Sequence, residues 1–302
     1  MKNVYWFSIF TLCFLLITFS IIIPQQAGSI KEYSITGTEV REIKSAINGQ
    51  DYELYIKLPF TYYQDTTKKY PVIYFCDGFY DFPMLTCISG NEVFDQTMTD
   101  CFLVGFSYKG KNLNYDSLRA YDYSPMKIEE KKCSGGGGNF LKVVEKEFIP
   151  LIEKNYRVDT TFRALGGSSM GGMFTIYAML TRPKLFNAYM IISPLVNDWL
   201  LKYEKDFYKH NKKLEASVFV SMAEYDLPWL PLFMKGIKAF NKSMQKHKYA
   251  GIRYKYRFID DTWHAGTKGE GYTRALKFIF EPLAAKQKQQ QLSEVKAVSD
   301  KK

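Results

Sequence analysis

The chain of 302 residues is 46% hydrophobic and 24% charged, which excludes a disordered or fibrous protein and fits one large α/β domain or two smaller ones. The net charge is +10, but the excess forms no basic stripe in the body of the chain, so no nucleic-acid partner is expected. Aromatic residues reach 17%, with 23 Tyr and 23 Phe, enough rings for a thick core and a ring-lined cleft.

At the N-terminus, Lys2 precedes an apolar run from Val4 to Ile23 that stops at Pro24. One early charge before such a run is the layout of an export signal, and about 20 apolar residues also suffice to span a bilayer. Residues 1–28 are therefore expected to be a signal peptide or an N-terminal membrane anchor. The protein would then be periplasmic, secreted or membrane-anchored, with membrane association through that segment. Oxidation of Cys76, Cys87, Cys101 and Cys133 is open to an exported domain, with no pairing chosen by spacing. The absence of a CxxC pair speaks against a zinc site.

Thr38 to Lys57 reads as a β-hairpin about Asn48-Gly49, since both residues tolerate positive φ. Pro71 to Phe75 and Phe102 to Phe106 are short apolar runs between turn signals, the pattern of strands buried on both faces. Lys109 to Lys132 reads as a long polar loop that leads into the glycines 135–138. Asn139 is expected to cap a helix carrying Phe140, Leu141, Val144, Phe148, Leu151 and Ile152, with a kink at Pro150. Thr161 to Leu165, Tyr189 to Ile192, Ser217 to Met222 and Tyr254 to Ile259 follow as strands. Gly171 to Leu180 and Gly271 to Phe280 follow as helices. This alternation implies a mostly parallel central sheet with helices on both faces, in one domain over residues 29–284. Residues 285–302, rich in Lys and Gln, are read as a mobile tail.

Gly166 to Gly172 stands between a strand and a helix and contains G-x-S-x-G at Gly167, Ser169 and Gly171. Glycine on each side of a strained turn lets strand and helix approach while the serine hydroxyl is lifted to the end of the sheet. Ser169 is the expected nucleophile, and Ser168 is the rival, as a plain turn serine. A serine nucleophile needs a base. Of three histidines, His210 and His247 lie in Lys-rich stretches and read as solvated. His264 follows the last strand and precedes the last helix, where a base belongs in this chain order. The orienting acid should follow the strand at 217–222. Asp226 is the choice and Glu224 the alternative, with Asp260 and Asp261 weaker because they stand so close to His264. The oxyanion hole is expected to combine the Met170 amide with that of Gly78 or Phe79. Phe79, Tyr80, Trp199, Trp229 and Trp263 adjoin these loops as pocket candidates. No cofactor or metal is called for.

The order of these segments resembles the esterase group of the α/β hydrolases, related to siderophore esterases and S-formylglutathione hydrolase. The resemblance rests on Tyr70 to Gly78, Arg119 with Asp122 to Pro125, and Gly137 to Leu141 through Glu147 and Pro150 to Val158. It continues through Gly166 to Gly172, Arg182-Pro183 with Phe186, Ser193-Pro194 and His264. It implies an α/β-hydrolase fold and a serine esterase that cleaves small-molecule carboxylic esters through Ser169, His264 and an acid after the strand near 222, by way of an acyl-enzyme. Two other functions fit the same residues: an acyltransferase on the same triad, and a catalytically silent binding module.

Overall fold

The computed structural model describes residues 33–127, 133–227 and 230–299. The expected export segment and Trp229 lie outside them. Among the described residues no helix is long and apolar enough to cross a membrane. Thr36 begins the unit that carries everything described below.

Strands β1 (Thr38–Lys44) and β2 (Asp51–Lys57) form the antiparallel hairpin expected about Asn48-Gly49. β2 pairs antiparallel with β4 (Phe102–Tyr108). Every later pairing is parallel: β4 with β3 (Tyr70–Phe75), β3 with β5 (Val158–Ser169), then β6 (Ala188–Pro194), β7 (Ser217–Tyr225) and β8 (Arg253–Trp263). The eight-stranded order is β1-β2-β4-β3-β5-β6-β7-β8, the mostly parallel sheet that the alternation predicts. Successive side chains of a strand point to opposite faces. Accordingly Val72, Tyr74 and Cys76 enter one hydrophobic core, and Ile73 and Phe75 the other.

Two helices cover the second of these cores: α1 (Gly78–Phe94) and α8 (Thr267–Ser299). On the other face lie α2 (Tyr115–Tyr123), α3 (Gly137–Val143), α4 (Ile149–Asn155), α5 (Met170–Thr181), α6 (Asp198–His210) and α7 (Pro231–His247). Several differ from the sequence expectation. The loop expected over 109–132 contains α2, capped by Asn114, whose Oδ1 accepts the Ser117 N–H at 3.0 Å. Asn139 caps nothing, because α3 already begins at Gly137. Just before Pro150, a π-helical turn over Val144–Phe148 joins α3 to α4. Pro150 has no N–H to give the i→i−4 ladder, and the wider turn accommodates it. The tail expected to be mobile is helical as far as Ser299, since its Ala, Lys, Gln, Glu and Leu residues are strong helix formers.

His210 is exposed, but His247 is not the solvated residue its Lys neighbours suggest. Its Nδ1 lies 2.7 Å from Oε1 of Glu204, a wholly buried carboxylate that also accepts bonds from Ser243 Oγ (2.6 Å) and Tyr249 Oη (2.7 Å). The imidazole stacks on Tyr208 at 3.8 Å. A buried carboxylate must be paired, and this one ties α6, α7 and the approach to β8 together. The four cysteines from Cys76 to Cys133 are all free thiols, so no disulfide joins them.

The fold positions its site by topology. After β3 the chain turns to β4 on one side, and after β5 it turns to β6 on the other. The crevice between the carboxyl ends of β3 and β5 is the switch point at which open α/β sheets bind ligands.

Candidate active site

Ser169 ends β5 with φ 58° and ψ −117° and is followed directly by α5. The turn is sharp enough that a Cβ on Gly167 would stand 2.3 Å from the carbonyl oxygen of Gly171, so only glycine fits there. Ser169 is half-buried, whereas Ser168 is buried and its hydroxyl meets no partner. The Ser169 carbonyl accepts the Leu195 N–H at 2.8 Å, which binds the Ser169 turn to the end of β6. Cys76 lies behind the turn. Burial, and then Asp77, pushes its thiol well up, so it is a neutral packing group and no rival nucleophile.

β5, β6, β7 and β8 are neighbours, and Ser169 pairs with Pro194 as Tyr225 pairs with Trp263. The residues following β7 and β8 therefore stand at the same sheet edge as Ser169, about 10 Å away across two strand spacings in the case of β7. His264 comes immediately after β8. Its Nδ1 lies 2.5 Å from Oδ1 of Asp226, and the other carboxylate oxygen accepts the Ala223 N–H at 3.2 Å. Asp226 is 0% exposed, and the ring of Phe233 stands edge-on to the imidazole at 5.1 Å. Glu224, the alternative acid, accepts instead the backbone N–H of Asp261 at 2.8 Å. Asp260 and Asp261 are exposed. The structure thus brings His264 and Asp226 together and leaves the other carboxylates apart from the imidazole. Ser169 Oγ and His264 are not hydrogen-bonded here; such bonds commonly tighten only when substrate docks.

Gly78 and Phe79 are the first residues of α1, and Met170 is the first of α5. Amides at a helix start have no carbonyl in their own helix, and the helix dipole is positive there. Asp77 turns the chain into α1 in a left-handed conformation, φ 57°. Two residues one turn apart on α2 hold it. Arg119 grips the Asp77 carboxylate in a fork, Nε to Oδ1 and NH2 to Oδ2 both at 2.8 Å, and Tyr123 Oη accepts the Asp77 N–H at 2.9 Å. Burial alone would lower the Arg119 guanidinium, but the Asp77 charge and hydrogen bonds outweigh it and the net shift is upward. On the far side, buried Asp81 of α1 takes Lys268 Nζ at 2.8 Å and Tyr272 Oη at 3.2 Å, which fixes the first turns of α8, the helix that follows His264. The Arg119 clamp was missed as a functional element. Its sequence signals were the place of Arg119 and Tyr123 among the segments that carry the resemblance and their i, i+4 spacing inside a segment read as loop.

The aromatic candidates go to separate places. Phe79 stacks on Tyr115 at 4.2 Å with Tyr80 beside them, both half-exposed. Trp263 packs on Tyr225 at 5.3 Å and is 55% exposed. Trp199 stacks on Tyr203 at 5.0 Å, within the surface of α6.

Residues 45–291 match the model of the family described as "Putative esterase". Ferri-bacillibactin esterase BesA of Bacillus subtilis is 27% identical over 273 residues, 84% of this chain and 93% of the relative. Apo-salmochelin esterase of Escherichia coli is 30% identical over 37% of this chain and 41% of its own. Among solved structures, the BES protein from Bacillus cereus superposes with a TM-score of 0.73 at 23% identity, covering 83% of this chain and 97% of that one. An IroE-like serine hydrolase from Shewanella oneidensis gives 0.73 at 21% identity, covering 81% and 80%. These likenesses agree with the sheet order in giving an α/β-hydrolase fold. The chain belongs to the "Putative esterase" family and is a carboxylic-ester hydrolase.

Proposed function

We propose that the chain cleaves its ester as a serine hydrolase, with Ser169 as nucleophile, His264 as base and Asp226 as the orienting acid. Ser169 Oγ attacks the carbonyl carbon while His264 Nε2 takes the hydroxyl proton. Asp226 accepts the Nδ1–H and stabilises the imidazolium without taking its proton. The amides of Met170 and of Gly78 or Phe79 hold the oxyanion. His264 then gives its proton to the departing alkoxide, and the alcohol leaves an acyl group on Ser169. Water, deprotonated by the same imidazole, attacks that acyl group, so the acid is released and Ser169 regains its proton.

The observation that carries this reading is the 2.5 Å contact between His264 Nδ1 and a wholly buried Asp226 carboxylate, at the sheet edge that also presents Ser169. A carboxylate removed from water beside an imidazole fixes its tautomer and leaves Nε2 to act. A fluorophosphonate probe followed by peptide mass spectrometry tests it. Adduct on the peptide containing Ser169, lost in Ser169→Ala, is expected. Labelling that persists in Ser169→Ala defeats the assignment.

The names of the relatives put siderophore esters first among the substrates to assay. Export remains part of the proposal and rests on the apolar run Val4 to Ile23; N-terminal sequencing of the protein from fractionated cells tests it.

A further inference from the structure

A cavity of about 290 Å³ opens between the end of β6 and α7, with apolar walls made chiefly by Leu195, Val196, Leu201, Phe233 and Ala239. Its polar members are engaged elsewhere. Asn197 Oδ1 caps α6 by accepting the Leu200 N–H, and Asp198 and Lys235 are exposed to solvent. At its back, α7 presses on the loop after β6 so closely that a Cβ on Gly236 would stand 2.0 Å from the Val196 carbonyl oxygen. That contact makes the cavity a fixed feature of the packing.

Two of its lining residues touch the proposed catalytic residues, neither of which is among those that line the cavity. Leu195 is bonded through its N–H to the carbonyl of Ser169, and Phe233 stands against the His264 ring. A polar substituent entering such walls would lose water without gaining a partner, whereas methylenes gain by leaving water. Leu195 thus ties the cavity to the residue proposed to become acylated. We propose that this cavity is the acyl-chain pocket and takes an unbranched aliphatic chain, so that medium-length acyl esters are preferred to acetyl esters. The inference rests on the serine-esterase reading above.

Kinetics with p-nitrophenyl acetate, butyrate and hexanoate test it on the full chain, the alcohol being constant. Each added methylene should raise kcat/KM by about fourfold until the pocket is full. Ala239→Phe and, separately, Leu201→Trp should abolish that gain, read within each variant as a hexanoate-to-acetate ratio of kcat/KM that falls to about one. Calorimetry on the Ser169→Ala protein gives a readout free of catalysis. Hexanoate should bind more than tenfold tighter than acetate, and Ala239→Phe should remove the difference. Turnover of acetate and hexanoate at equal kcat/KM, or a chain-length gain that survives both filling variants, overturns the pocket and leaves the esterase reading intact. Preferential hexanoate binding in a protein that cleaves no ester keeps the pocket and removes the catalytic reading.

Discussion

Backbone strain collects where the chemistry is proposed. Among the described non-glycine residues with positive φ, Asp77, Ser169, Ser193, Leu227 and Asp261 stand at or beside the carboxyl ends of β3, β5, β6, β7 and β8. Each such residue costs on the order of 1 kcal/mol or more, and strain of this kind persists where the surrounding structure over-determines it. The carboxylates around His264 are sorted by what they touch. Asp226 meets the imidazole and Glu224 meets a backbone amide, so Asp226→Asn is expected to lower kcat by about three to four powers of ten, as a wrong tautomer does in a related triad. Glu224→Gln should change it less than about tenfold. Steady-state kinetics on the two variants decide between them, and the reverse ranking would move the acid to Glu224. The candidates proposed as nucleophile, base and acid, Ser169, His264 and Asp226, could be nominated from the sequence because such chemistry fixes residue type and chain order. Which of two nearby carboxylates points at the ring was not legible, because alternate residues after a strand can face either way.

At the scale of elements, helices acting on the site were the hardest to read. α1 carries two glycines and Pro83, and its buried stripe of Phe82, Leu85, Ser89 and Glu92 mixes apolar with polar side chains. Its place between the sheet and α8 overrides weak propensity. α7, by contrast, advertises itself through Pro231 at its first turn and a buried stripe of Phe233, Ile237, Phe240 and Met244, a helical period present in the sequence and passed over. α2 was folded into a loop because the partners of Arg119 and Tyr123 lie some 40 residues away in the chain. That helix acts on the site through the β3–α1 turn. Arg119→Met leaves the buried Asp77 carboxylate unpaired, and the loss should be about 3 kcal/mol of stability by urea unfolding. The Gly78 and Phe79 amides proposed to hold the oxyanion lose their anchor as well, so kcat should fall at least tenfold with KM little changed. A variant that loses stability but keeps kcat per folded molecule would confine the pair to a structural role.

For the molecule as a whole, the parallel sheet, its two covered faces and its site edge followed from alternating strands and helices, and the family match agrees with the resemblance seen in the motif order. Electrostatics buried in the first core were not legible. Asp122 of α2 sits there with Tyr52 Oη donating to it at 2.8 Å. Burial, opposed by that bond, pushes its carboxyl up to about 6 from 3.8. Between these values the native state keeps a proton that the unfolded state has released, so stability falls as pH rises through the window. The full loss, about 3 kcal/mol, is reached near pH 7. Asp122→Asn should abolish the slope, leaving the variant more stable than wild type at pH 7 and similar at pH 4. Urea denaturation at unit steps of pH checks this, and parallel pH profiles for the two proteins would contradict it.

The hydroxyl at the end of β5 and the imidazole after β8 are proposed to work as one machine. Hydrolysis of p-nitrophenyl butyrate by Ser169→Ala, His264→Ala and the double variant measures that coupling directly. Residues that act as a unit are non-additive, so each single change should cost nearly as much in kcat as both together. Losses that multiply in the double variant, or a single variant that keeps wild-type turnover, would show that the two side chains do not share a reaction.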